Sequence, residues 1–241
     1  MKTVTGSLKS SLASKIADDL RLNIILGILE EGSLLNEMAL AEKYGVSRGP
    51  IRQAIQLLSL EGIVETQPNG RSKILGFRIN ELQDYFNLRL FIESEAIKKI
   101  MQQPDDDDYH KWLDHMESLL NKSIPTYTGI IVRDNNYDEQ DLAFHCAIVE
   151  RAGSQISNQV WKTLSNLALS IAQLHKMYYS EKYVHETNIT IACHQRLLDG
   201  LRKRDLDYVL TELNAHMQHG IMTLTHTWEK AREEVINHSI E

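Results

Sequence analysis

Apolar residues in the first third of the chain recur at helical spacing. Leu12, Ile16, Leu20, Ile24 and Ile28 stand four apart and predict one amphipathic helix over residues 10–30, with Gly32 placed to end it. A shorter helix follows over residues 37–44. Gly45 and Val46 then mark a tight turn, and Ser47 is positioned to cap a further helix that runs to about Leu60. Pro50 falls in the first turn of that helix, where its missing N–H costs little, and Ile51, Ile55 and Leu58 form its inner face. The pattern then changes. Residues 63–66 and 72–75 flank Pro68, Asn69 and Gly70, which predicts a β-hairpin with a turn at its tip.

Beyond Asn80 every periodic stretch is helical. Helices are expected near residues 81–103, 106–122, 134–152, 155–178, 185–202 and 205–232. They are separated at Pro104, at residues 125–129, at Gly153 and at residues 200–205. Asp105 and Asp205 are expected as N-caps. The fold class that follows is mainly α. It comprises an N-terminal winged helix-turn-helix with a small β-hairpin (residues 1–76) and a C-terminal all-helical antiparallel bundle (residues 77–241).

Composition fits two such domains. Of 241 residues, 42% are hydrophobic and 24% charged, with four prolines and twelve glycines, which argues against long disordered stretches and turn-rich β folds. No apolar run approaches the roughly 18 residues of a membrane span, and the N-terminus lacks the apolar core of a secretory signal. The expectation is a cytoplasmic protein without membrane association, its two cysteines, Cys146 and Cys193, reduced.

Net charge is −7, which taken alone speaks against nucleic acid. Its distribution reverses that inference. Residues 1–76 carry nine Lys and Arg against eight Asp and Glu, and residues 43–53 hold Lys43, Arg48 and Arg52 with no acid. The acidic remainder holds all ten histidines, from His110 onward.

A helix, a turn containing Gly45 and a second helix opening on basic residues suit DNA. The second helix would lie in the major groove and offer its N-terminal residues to bases and phosphates. Arg48 and Arg52 are one turn apart, and arginine bridges guanine O6 and N7 or holds phosphate. Gln53 suits adenine, Gly49 lets the backbone approach closely, and Gly70 and Arg71 at the hairpin tip suit the minor groove or a phosphate. The plainer alternative is a pair of packed helices with a solvated basic face.

In the acidic half, Asp141 and His145 share a helical face at i, i+4, a spacing that suits two ligands of one ion. His194 and His216 fall on inner stretches of two later helices. Three imidazoles and a carboxylate suit Zn²⁺, Ni²⁺ or Mn²⁺ with positions left open. A surface Asp–His hydrogen bond is the plainer alternative, and His175, His185 and His219 compete as ligands.

Residues 40–74, LAEKYGVSRGPIRQAIQLLSLEGIVETQPNGRSKI, closely resemble the winged helix-turn-helix of GntR-family transcription regulators, roughly LAxxxGVSRxPVRxALxxLxxxGLV followed by a wing. Met38 stands where some members carry a DNA-contacting arginine. The second half resembles the FadR C-terminal ligand-binding domain. Arg89-x3-Glu93 matches its opening helix, Asp141-x3-His145 before Ala152-Gly153 its DxxFH segment, and His194-x2-Leu197-Leu198 with Asp205 and then His216 its closing segment.

The resemblance implies DNA contacts from Arg48, Arg52 and the wing near Gly70, within the expected contact set Ser47, Arg48, Gly49, Arg52, Gln53, Gly70 and Arg71, and it implies a divalent metal held by Asp141, His145, His194 and His216. It further implies a homodimer on a palindromic double-stranded operator, and a small carboxylate effector that binds at the metal site of the C-terminal domain and controls DNA affinity, as in a repressor. Arg89 is expected either to clamp that carboxylate or to pair with Glu93, with His175 and Tyr178 lining the pocket. A metal-dependent hydrolase or lyase at the same four residues, and a purely structural metal, are the rivals.

Overall fold

The computed structural model describes residues 11–123, 137–165 and 180–240. It divides into two compact units, Met1–Arg78 and Ile79–Glu241.

The first unit begins with α1 (Leu12–Ile25), capped by Ser11, whose hydroxyl accepts from the Ser14 N–H at 3.1 Å. The helix stops five residues before its expected end. Gly27 takes a left-handed φ of 75° there and the chain turns, leaving Ile28 half exposed while Ile16, Leu20 and Ile24 are buried. Strand β1 (Leu34–Leu35) leads to α2 (Glu37–Tyr44). Asn36 caps α2 by accepting from the N–H groups of Met38 and Ala39, and Gly45 ends it at φ 63°. Helix α3 spans Arg48–Leu60. Ser47 occupies its N-cap position, but the hydroxyl makes no capping hydrogen bond. Pro50 stands at the third helical position and has no N–H to offer, which removes one of the two donors a cap side chain uses.

Strands β2 (Val64–Thr66) and β3 (Ser72–Ile74) pair antiparallel in the expected hairpin, with Val64 opposite Ile74 and Thr66 opposite Ser72. β1 adds to the other edge of β3, giving a three-stranded sheet in the order β1-β3-β2 where the sequence predicts only two strands. Two residues are too few to show alternation. Ile16, Leu20 and Ile24 of α1, Ile51, Ile55 and Leu58 of α3, and Val64 and Ile74 of the sheet form one core. Arg21 closes its edge with a bidentate pair to Glu61, at 2.6 and 2.7 Å.

The second unit is helical throughout its described residues. It contains α4 (Ile79–Met101), α5 (Asp107–Ser123), α6 (Tyr137–Arg151), α7 (described over residues 155–165), α8 (Ser180–Lys203) and α9 (Leu206–Ile240). α4 packs on α6 and α9, α5 on α6 and α8, and α8 on α9. α8 and α9 are joined by only Arg204 and Asp205 and so run antiparallel. Asp205 caps α9 as expected, but Asp106, not Asp105, caps α5 by accepting from the Tyr109 N–H at 2.9 Å. Asp105 pairs with His110 instead. α8 starts earlier than the sequence suggests, and α9 runs eight residues past its expected end at 232.

Two glycines permit close helix contacts. A Cβ on Gly200 would lie 2.5 Å from Val209 Cγ2, and one on Gly220 would lie 2.7 Å from Phe86. Among the described residues no helix is long and apolar enough to cross a membrane.

Candidate nucleic-acid interface and metal centre

The seven residues expected at DNA, Ser47, Arg48, Gly49, Arg52, Gln53, Gly70 and Arg71, are all exposed. Five stand on or just before the first turns of α3, whose opposite face is pinned to the core by Ile51, Ile55 and Leu58. The hairpin tip is built locally. Gly70 takes φ 77°, its N–H reaches the Gln67 carbonyl at 2.8 Å, and the Asn69 side chain accepts from the Arg71 N–H at 3.0 Å.

Sequence reasoning missed Glu37. From the first turn of α2 its Oε2 accepts from Arg48 Nη2 at 2.8 Å and from Arg52 Nε at 2.9 Å. These arginines hold the Glu37 carboxyl below the usual carboxylate range, Arg48 most strongly. Pairs this exposed contribute little stability, about 0–1 kcal/mol. Their consequence is where the guanidinium groups sit.

In the second unit, Asp141, His145, His194 and His216 converge from α6, α8 and α9, with one candidate ligand atom from each lying within 4.8 Å of all the others. His145 Nε2 is 3.0 Å from the Nε2 of both His194 and His216, and Asp141 Oδ1 is 3.4 Å from His194 Nε2. Two ligands at right angles about 2.1 Å from a common ion lie about 3.0 Å apart, so the donor set fits a small divalent cation. All three imidazoles are buried, and burial, reinforced by the nearby Arg89 charge, pushes each well below its ordinary value. They are therefore neutral near pH 7, the form that ligates metal.

The wall behind this cluster comes from α4. Glu93 is fully buried; its Oε2 shares a hydrogen bond with His145 Nδ1 at 2.6 Å, and its Oε1 accepts from Arg89 Nε at 3.1 Å. A proton on Nδ1 leaves the His145 Nε2 lone pair facing the cluster, as in carboxylate–histidine–metal arrangements. Burial pushes Glu93 up to about 7 against the opposing pull of Arg89. Arg89 donates from Nη1 to the Tyr85 hydroxyl at 3.3 Å and lies 4.7 Å over the Trp161 ring, while its buried Nη2 has no hydrogen-bond partner among the described residues.

The expected Arg89–Glu93 pair is present, and Nη2 is the Arg89 nitrogen left unpaired among the described residues. His175, Tyr178 and the side chain of His185 lie outside the described residues. His219 is not part of the converging set. Cys193 is buried and its sulfur accepts from Arg196 at 3.1 Å, and burial pushes the Cys146 thiol up to about 11; neither joins the cluster.

A winged helix-turn-helix with an arginine-bearing recognition helix, followed by a helical bundle enclosing a buried polar cluster, defines a ligand-responsive transcription regulator in class. Residues 12–74 match the bacterial regulatory proteins of the gntR family, and residues 84–219 match the FCD domain. The chain belongs to the GntR family, in the branch that carries an FCD domain, whose members regulate transcription.

Its relatives include the gluconate operon transcriptional repressor of Bacillus subtilis, 25% identical over 86% of this chain and 82% of that protein. The HTH-type transcriptional repressor RspR of Escherichia coli is 22% identical over 83% of this chain and 82% of the relative. Among solved structures, the regulator Lar, which controls the Listeria monocytogenes agr system, has the same fold. Its TM-score is 0.65 at 18% identity, over 89% of this chain and 96% of that one. E. coli McbR/YncC follows at 0.59 and 20%, over 89% and 97%.

Proposed function

We propose that this protein is a cytoplasmic repressor that acts as a homodimer on a palindromic operator and whose DNA affinity is set by a small carboxylate effector. In this proposal residues 1–76 read DNA and residues 77–241 bind metal and effector and dimerise. Ser47, Arg48, Gly49, Arg52, Gln53, Gly70 and Arg71 meet the duplex. Asp141, His145, His194 and His216 hold Zn²⁺, Ni²⁺ or Mn²⁺. An ion bound there supplies positive charge and open coordination positions for an anion. Glu93 fixes the His145 tautomer, and the Nη2 edge of Arg89 takes part of the carboxylate.

The observation that carries the reading is the buried convergence of three neutral imidazoles and Asp141 beside a guanidinium with an unused N–H edge. The relatives named as repressors, one of them for a gluconate operon and so for a carboxylate, support the sign of regulation and the ligand class. A ligand that prefers one arrangement of the dimer shifts the spacing of its two heads away from that of the half-sites, and operator affinity falls.

Elemental analysis and DNA binding test this together. The wild type should retain about one ion per chain and lose operator affinity when a matching organic acid is added. His145→Ala and His216→Ala should lose the ion, and Arg52→Ala should lose the operator while staying folded. Retained metal in both histidine variants refutes the assigned ligands, and unchanged operator affinity in Arg52→Ala refutes the assigned reading head.

A further inference from the structure

Nothing in the sequence patterning gave Glu37 a role beyond opening a helix. Among the described residues its carboxylate is nevertheless the one group that hydrogen-bonds both arginines at the head of α3, across 11 and 15 positions of sequence. The two contacts are unequal. Arg48 engages Glu37 along its Nε–Nη2 edge, at 3.3 and 2.8 Å, which leaves Nη1. Arg52 engages it through Nε alone, at 2.9 Å, so Glu37 occupies neither of its Nη groups. Bidentate recognition of guanine O6 and N7 needs two N–H groups side by side, and a single phosphate oxygen needs one.

We propose that Glu37 is a positioning residue of the reading head, which presents Arg52 as the base reader and holds Arg48 for the DNA backbone. This rests on the reading of Arg48 and Arg52 as DNA-contacting. The physical case has two parts. Both arginine side chains are more than half exposed, so without an anchor each would have to be immobilised on binding. The carboxylate orders them beforehand. It also places a negative charge close to where phosphates pass, which weakens attraction to any duplex regardless of sequence. Affinity for the right site and affinity for every site therefore move in opposite directions when the carboxylate is neutralised. A residue that served stability alone would move them together.

The test uses the full-length dimer, a duplex selected from a random pool by the wild-type protein, and a scrambled duplex of the same composition, with binding followed by fluorescence anisotropy across a salt series. Glu37→Gln keeps the shape of the side chain. It should bind the selected duplex about ten-fold more weakly, the loss expected from one or two newly mobile side chains. It should bind the scrambled duplex as tightly as the wild type or more so, with a salt slope no smaller.

On single-base variants of the selected duplex, Arg52→Ala should flatten discrimination at one base pair per half-site. Arg48→Ala should weaken binding to all of them alike and reduce the salt slope by about one per head. If Glu37→Gln keeps the ratio of the two affinities while Arg52→Ala alters it, the positioning role is overturned and the reading head stands. If neither arginine variant changes binding to either duplex, the reading head falls and the inference with it.

Discussion

Acidifying the bundle in the presence of a chelator should expose the cost of three buried imidazoles. His145, His194 and His216 are held well below the ordinary histidine value of about 6.5 by burial, so they stay uncharged in the folded chain as pH falls through 6.5. The unfolded chain does. Because the unfolded state takes up more protons, stability falls with pH below 6.5, by about 1.4 kcal/mol per histidine for each unit. Three of them set a ceiling of about 4 kcal/mol on the loss by pH 5.5.

Glu93 runs the other way. Its carboxyl is pushed up to about 7, so the folded chain takes a proton as pH falls through 7, while the unfolded chain waits until about 4.5. That offsets roughly 2 kcal/mol by pH 5.5. The net expectation is a loss of about 2 kcal/mol between pH 7.5 and 5.5, a urea midpoint lower by roughly 1 M. Trp112, Trp161 and Trp228 all lie beyond residue 78, so tryptophan fluorescence follows the bundle alone. Urea titrations in chelator at three pH values measure the effect. Glu93→Gln removes the offset and should steepen the loss toward 4 kcal/mol. A midpoint that stays level or rises on acidification would refute the reasoning.

Two further outcomes concern packing. Gly200→Ala forces a Cβ to within 2.5 Å of Val209 Cγ2 where α8 meets α9, and should cost about 1–3 kcal/mol, read as a lower melting temperature of the tryptophan-bearing unit. Glu61→Gln removes the bidentate partner of buried Arg21 and should destabilise the DNA-reading unit by about 3 kcal/mol, seen by calorimetry as a separate early transition.

Legibility followed sequence range. The α3 face of Ile51, Ile55 and Leu58 and the hairpin pairing of Val64 with Ile74 were evident because helical period and turn residues are local signals. The cap of α5 slipped by one residue because four consecutive aspartates, Asp105–Asp108, each offer a carboxylate, and only the backbone path decides between Asp105 and Asp106. Asp141 and His145 declared themselves at i, i+4. Their meeting with His194 and His216 spans 49 and 71 positions, and was legible through family resemblance rather than through spacing. The contact of Glu93 with His145, and those of Glu37 with Arg48 and Arg52, went unrecognised for the same reason. Each acts on residues brought near by tertiary packing, and neither carries a local pattern that separates it from a solvated helix acid.

Chain order at these two places has a genetic consequence. The head completes its core at Ile74, whereas the Asp–His cluster waits for His216 near the far end of the polypeptide. During synthesis the DNA-reading core is therefore whole long before the cluster can assemble. A nonsense mutation between codons 79 and 215 leaves a product that keeps the reading core but lacks the machinery to respond to its signal. Alleles of that kind should differ in phenotype from early truncations, which lose the reading core as well.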